Sequence, residues 1–146
     1  MYSKKYGIMG GTFDPIHFGH LVIANEVLGK YQLDRIIFVP TGNPPHKSVE
    51  GMTDAYHRYM MVQFATMTNP QFYVSSLEVY KKEVCYTVET IRQLKNKYED
   101  TDLYFITGTD AVLELPTWKN PKEILKLCKF IAVNRPGYIT DGYKEK

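Results

Sequence analysis

The sequence predicts an α/β fold: a doubly wound parallel sheet of about five strands. Three observations carry this. Short apolar runs alternate with segments of helical periodicity along the chain. The runs are near-continuous rather than alternating, as strands covered on both faces require. The glycine-rich and histidine-containing segments fall at the ends of these runs, beyond the carboxyl ends of the strands, where sheets of this class bind ligands.

In order, "KYGIMGG" reads as a buried strand ending in glycines, followed by a helix starting near Phe18 with Leu21, Ala24, Val27, Leu28 and Tyr31 on one stripe. "RIIFVP" is the second strand, and "TGNPPHKSVEGMTD" a loop by its Gly, Asn and Pro content. Tyr56, Tyr59, Met60, Phe64 and Met67 give the next helical stripe, and "QFYVSSLEV" a third strand. Thr87 is placed to cap a helix carrying Val88, Ile91, Leu94 and Tyr98. "DLYFITGTD" is the fourth strand. Asn120, Pro121 and Glu123 combine a cap, a first-turn proline and a capping-box carboxylate before "ILKL". "KFIAVNRPG" is the fifth strand, ended by Pro136 and Gly137.

The 146 residues suit one domain with one core. A net charge of +2, from 18 basic and 16 acidic residues, is too balanced for a DNA-binding stripe or a polybasic membrane anchor, so neither nucleic acid nor membrane is expected as a partner. There is no signal-peptide pattern and no membrane-length apolar stretch. Cys85 and Cys128 lack CxxC spacing and read as buried thiols in a reduced, cytoplasmic setting.

The chemistry concentrates in "GGTFDPIHFGH", residues 10 to 20. If a helix begins near Phe18, His17 and His20 flank its first turn, where free N–H groups and the helix dipole favour phosphate. Gly10 and Gly11 allow a tight turn and close ligand approach, Asp14 and Pro15 shape that turn, and Gly19 leaves room between the imidazoles. Neither a Walker loop nor a GxGxxG fingerprint is present. Imidazole donors can stabilise charge growing on a triphosphate as it is cleaved. A structural histidine pair and half of a metal site are the alternatives, the second weakened because no third ligand stands at suitable spacing.

These residues resemble the HxGH nucleotidyltransferase superfamily. Together with "VPTGNPPHK", "CYTVETI", "FITGTDAVLELPTW" and "FIAVNRPG", in this order over nearly the whole chain, the sequence is similar to the bacterial nicotinate-nucleotide adenylyltransferases. The resemblance implies a Rossmann-like domain over 1–146 that transfers the adenylyl group of ATP to nicotinate mononucleotide in NAD biosynthesis, with Mg²⁺ and release of pyrophosphate. His17 and His20 would be catalytic and hold the ATP phosphates, with Gly10, Gly11, Thr12 and Phe13 as the cradle.

By the same resemblance, Gly108, Asp110 and Arg135 would lie at the ATP, Asp110 accepting from a ribose hydroxyl. Asp110 as a helix cap and Arg135 as a surface ion pair are the rival readings. Lys47, Tyr86, Thr87 and Trp118 would bind the mononucleotide: Lys47 its phosphate, the Tyr86–Thr87 turn its carboxylate, and Trp118 its pyridine ring by stacking. No separate protein metal site is expected, and a homo-oligomer is compatible. Arg58 reads as a solvated helix-surface residue, with a place near the phosphate loop as the alternative, and His46 and His57 read as ordinary ones. Members of the family run longer and carry a second, C-terminal phosphate-binding motif of serine, threonine and arginine, absent here, so a C-terminally truncated chain is expected. Another adenylyl or cytidylyl transferase of the same fold, or a nucleotide-binding module with little catalysis, are the competing functions.

Overall fold

The structure is a computed structural model and describes residues 4–43 and 50–134. Its elements are β1 (Lys4–Gly11), α1 (Phe18–Lys30), β2 (Arg35–Pro40), α2 (Ala55–Thr66), β3 (Phe72–Val74), α3 (Thr87–Lys97), β4 (Thr101–Gly108), α4 (Thr109–Leu113), a 3-10 turn (Leu115–Thr117), α5 (Pro121–Leu127) and β5 (Lys129–Val133). The five strands form one sheet in the order β3-β2-β1-β4-β5, all pairs parallel. The order reverses at β1, which pairs with β2 on one side and β4 on the other, Met9 lying between Phe38 and Ile106.

Each sheet face carries its own apolar layer. On one, Ile23, Ala24, Val27 and Leu28 of α1 and Val62 of α2 cover Met9, Ile36, Phe38, Ile106 and Ile131. On the other, Val88, Ile91 and Leu94 of α3 and Ile124 of α5 cover Ile8, Ile37, Val39, Leu103 and Phe130. Alternate residues of one strand therefore feed opposite cores, which is why the strands read as unbroken apolar runs. The stripes foreseen for α1 and α3 are the ones buried, with Tyr98 closing edge-on against Tyr6 at 5.1 Å.

Four local expectations are corrected. The stripe foreseen on α2 is not its buried face: Tyr56, Phe64 and Met67 are 45%, 67% and 71% exposed, while Arg58, Val62 and Thr66 are buried. Both sets follow helical spacing. The buried set succeeds because its polar groups are satisfied, Thr66 returning its hydroxyl to the Val62 carbonyl at 2.8 Å and Arg58 binding backbone carbonyls.

The third strand is three residues long rather than the full "QFYVSSLEV" run. Thr87 does not cap α3 but is its first helical residue, with Tyr86 at the cap position and no side-chain bond there. Finally, Asn120 does occupy the cap of α5, at a left-handed φ of 49°, but the capping box does not form. Glu123 instead takes a two-point bond from Arg92, both arms 2.9 Å, an exposed fork–fork geometry that competes well with a cap.

Candidate active site

β1 hands the chain to its carboxyl end at Gly10 and Gly11. Phe13 then adopts φ 50° and turns its ring inward, 3% exposed, against Phe38 at 5.9 Å. A Cβ on Gly11 would stand 3.2 Å from that ring, so Gly11 accommodates the turned-back phenylalanine. Gly10 is exposed, and a Cβ there would meet only ordinary contacts. Phe13 is thus a buried floor beneath the cradle, and Thr12 is part of its rim. The Asp14–Pro15 peptide is cis, and Asp14 accepts the Thr53 N–H at 2.8 Å; the Thr53 side chain first, and then this N–H, hold its carboxyl below the usual range.

The histidine spacing has a structural cause. His17 is the N-cap of α1, its Nδ1 accepting from the Gly19 N–H at 3.1 Å, while its own N–H donates to His20 Nδ1 at 3.0 Å. The pair therefore forms a capping box with imidazoles in place of the usual hydroxyl and carboxylate. The rings stack, centroids 3.8 Å apart and planes 28° apart, and Phe13 meets His20 edge-on at 5.0 Å.

An Nδ1 that accepts an N–H carries no proton. This hydrogen-bond network therefore assigns both rings the neutral tautomer with the proton on Nε2. Burial, then the neighbouring His17, pushes His20 down to about 4, so it stays neutral at physiological pH. Each ring thus keeps one donor, Nε2–H, for a ligand. Both line a cleft of about 550 Å³ with Thr12, Phe13, Asp14 and Pro15, faced by Glu50, Gly51 and Met52. That size accepts a nucleotide's phosphate chain.

The other foreseen residues divide into groups. Gly108 ends β4 beside β5 and is the cap position of α4. Asp110 is exposed in the first turn of that helix and does not cap it. Tyr86, Thr87 and Trp118 belong to the opposite sheet face. Trp118 is half-buried, its ring 6.2 Å from Phe105 and 6.1 Å from Phe130, so it packs on the core while staying partly exposed. Lys119 lies 4.4 Å over the Tyr86 ring and 3.5 Å from Glu89, linking the Trp118 turn to the start of α3. Lys47, His46 and Arg135 lie outside the described residues. His57 is on the surface beside Asp54.

The surface reading of Arg58 is corrected in favour of its alternative, a place beside the phosphate loop. The residue is 1% exposed and donates to the carbonyls of Thr12, Thr41 and Thr53. The only signal was its shared i, i+4, i+8 face with Val62 and Thr66, which a charged residue obscures. Among the described residues no group of three or more His, Cys, Asp or Glu comes together to hold a metal ion. Nor is any described helix long and apolar enough to cross a membrane. Cys85 and Cys128 are free and buried.

A parallel sheet reversing at β1, with a histidine-capped helix at that strand's end, places this cleft where sheets of this class bind ligands. Residues 8–146 match the cytidylyltransferase-like family. A Thermoanaerobacter protein (strain X514) named "Probable nicotinate-nucleotide adenylyltransferase" is 56% identical over 134 residues, covering 91% of this chain and 64% of that one. A Clostridium novyi (strain NT) protein of the same name is 48% identical over 144 residues, covering 98% and 72%. The chain belongs to the cytidylyltransferase-like family and, within it, to the nicotinate-nucleotide adenylyltransferases. It spans about two thirds of the length of these relatives. In fold it is similar to the Plasmodium falciparum nicotinic acid mononucleotide adenylyltransferase complexed with NaAD, at a TM-score of 0.77 and 22% identity, covering 94% of this chain and 68% of that one.

Proposed function

We propose that this protein transfers the adenylyl group of ATP to nicotinate mononucleotide. The observation that carries this reading is the histidine capping box, which fixes two neutral imidazoles at a helix N-terminus with both Nε2–H donors left for phosphate. The names of its relatives supply the acceptor.

In the reaction, an oxygen of the mononucleotide's 5′-phosphate attacks the α-phosphorus of ATP. A new P–O bond forms as the bond from the α-phosphorus to the bridging oxygen breaks, and pyrophosphate leaves with that electron pair. No covalent enzyme intermediate is needed, and no enzyme proton has to move. The chain's task is positioning and charge stabilisation. His17 and His20 donate from Nε2–H to phosphate oxygens. Neutral donors suit this, because they stabilise charge that grows without neutralising a side chain on release of product.

A divalent cation would supply charge neutralisation on the phosphates. Mg²⁺ is commonly bound through substrate phosphates with few protein ligands, and it would arrive here with the triphosphate. Asp110 and Arg135 remain on the ATP side of this reading. Lys47, Tyr86, Thr87 and Trp118 belong to the mononucleotide side, with the partly exposed Trp118 stacking on the pyridine ring.

The test is pyrophosphate release from ATP or CTP with nicotinate mononucleotide, nicotinamide mononucleotide and other phosphate acceptors in turn. Release that depends on ATP and nicotinate mononucleotide is expected. Release with CTP, or only with an acceptor lacking the pyridine ring, overturns the reading.

A further inference from the structure

Arg58 is buried on α2, yet among the described residues it makes no ion pair. Its donors go to main-chain carbonyls: Nε to Thr53 at 2.6 Å, and Nη1 to Thr12 at 2.9 Å and Thr41 at 2.8 Å. Thr12 belongs to the phosphate cradle, Thr41 directly follows β2, and Thr53 precedes α2.

The Thr41 carbonyl and the Gly42 N–H are two ends of one peptide group. That N–H donates to Glu78 Oε1 at 3.1 Å, and Glu78 Oε2 accepts the Thr90 hydroxyl of α3 at 2.7 Å. Glu78 is 7% exposed and, among the described residues, is also without an ion pair. One peptide is therefore gripped at its oxygen by a buried guanidinium and at its N–H by a buried carboxylate. The amide of Thr41 bonds the Gly11 carbonyl at 2.9 Å, tying the same point to the end of β1.

Burying a guanidinium and a carboxylate is costly, even with Asp14 and Asp54 close enough to favour the Arg58 charge, and packing alone would be served as well by apolar side chains of similar volume. What a guanidinium adds is a rigid fork that fixes several carbonyls relative to one another. The fixed points here are the ends of two adjacent strands, one leading into the cradle and the other into the Thr41–Gly42 peptide.

We infer that Arg58 and Glu78 are positioning residues of the transfer site: through the Thr41–Gly42 peptide they hold the end of β2 in fixed register with the phosphate cradle, so that the two substrates meet in line. The inference rests on the adenylyl-transfer reading. It makes the clamp act on the alignment of bound substrates rather than on the binding of either alone, since neither side chain lines the cleft.

Arg58→Lys keeps the charge but loses the fork, Arg58→Met loses both, and Glu78→Gln keeps the shape without the charge. Each is compared with the wild-type full chain by calorimetry with ATP and with nicotinate mononucleotide separately, by kcat per folded molecule, and by hydrogen exchange at the Gly42 amide. For Arg58→Lys, binding of each substrate within about threefold of wild type is expected, with Gly42 exchange clearly faster and kcat down roughly a hundredfold, the cost of a displacement of about 1 Å. Glu78→Gln should change in the same direction by less.

Wild-type kcat and Gly42 exchange in Arg58→Lys overturn the inference, as does a kcat loss matched by equal losses in binding. If wild type releases no pyrophosphate with any mononucleotide, the adenylyl-transfer reading fails by itself. The clamp is then judged on exchange alone: faster Gly42 exchange in folded Arg58→Lys supports it, and unchanged exchange overturns it.

Discussion

His17 and His20 lie ring over ring at 3.8 Å, and each closes the first turn of α1 through its own Nδ1. The same two side chains thus make a structural bond with one nitrogen and, in the proposed reaction, serve phosphate with the other. The two roles can be separated. His17→Ala removes both, costing about 1 kcal/mol of stability as a lost cap and roughly a hundredfold or more in turnover as a lost charge-stabilising donor. His17→Asn keeps an oxygen that can accept the Gly19 N–H, so its thermal midpoint should recover while its turnover does not. His20→Ala should likewise lose far more turnover than stability. Near-normal turnover in both alanine variants would remove the phosphate role.

The depressed pKa of His20 gives a pH signature with a definite sign. Unfolded, the imidazole titrates near 6.5, whereas in the fold it titrates at about 4, chiefly because it is buried. Between those values the unfolded chain binds a proton that the folded chain refuses. The contribution to stability is therefore complete above pH 6.5 and is lost as pH falls towards 4. Thermal midpoints measured along that range should fall on acidification, and His20→Asn should flatten the slope. Following the His20 ring protons by NMR checks the assignment, and a midpoint near 6.5 would contradict the capped, neutral state.

The strand and helix order was legible because buried parallel strands and amphipathic helices leave strong local patterns, as in "RIIFVP" and the Val88, Ile91, Leu94 stripe. The cradle was legible for a different reason: two histidines three apart beside glycines are a compact local arrangement. The role of Arg58 was not. It depends on carbonyls 5, 17 and 46 residues away, and side-chain type alone says surface. Glu123 escaped in the same way, because its partner Arg92 lies 31 residues earlier on another helix. The buried face of α2 was misread because apolar side chains on a surface helix carry the period as well as buried ones do.

Trp118 tests the mononucleotide side. Its ring packs on Phe105 and Phe130 while half-buried, so truncation has two consequences. Trp118→Ala should lower the thermal midpoint through lost packing and also raise KM for the mononucleotide several-fold, stacking being worth on the order of 1 kcal/mol. KM for ATP should hardly change. A lowered midpoint with both KM values unchanged would make the residue purely structural.

Three glycine-to-alanine changes should rank in a fixed order, because the space around each differs. At Gly29, near the end of α1, nothing lies within 4 Å of an added Cβ, so alanine should stabilise the helix by about 0.5–1 kcal/mol. At Gly7 the new methyl would meet Ile36 Cδ1, Ile106 Cδ1 and Leu33 Cδ1 at 2.8–2.9 Å. These are mobile ends of side chains, and the cost should stay within about 1–3 kcal/mol of overpacking. At Gly42 the Cβ would fall 2.1 Å from the Glu78 carbonyl oxygen and 3.1 Å from its carbon, both main-chain atoms. Neither can swing aside, so the loop after β2 must shift and the Gly42–Glu78 bond with it. Gly42→Ala should therefore be the most destabilising of the three in urea denaturation and should speed exchange of its own amide. If it proves milder than Gly7→Ala, the end of β2 is not held as tightly as the Arg58 and Glu78 bonds imply.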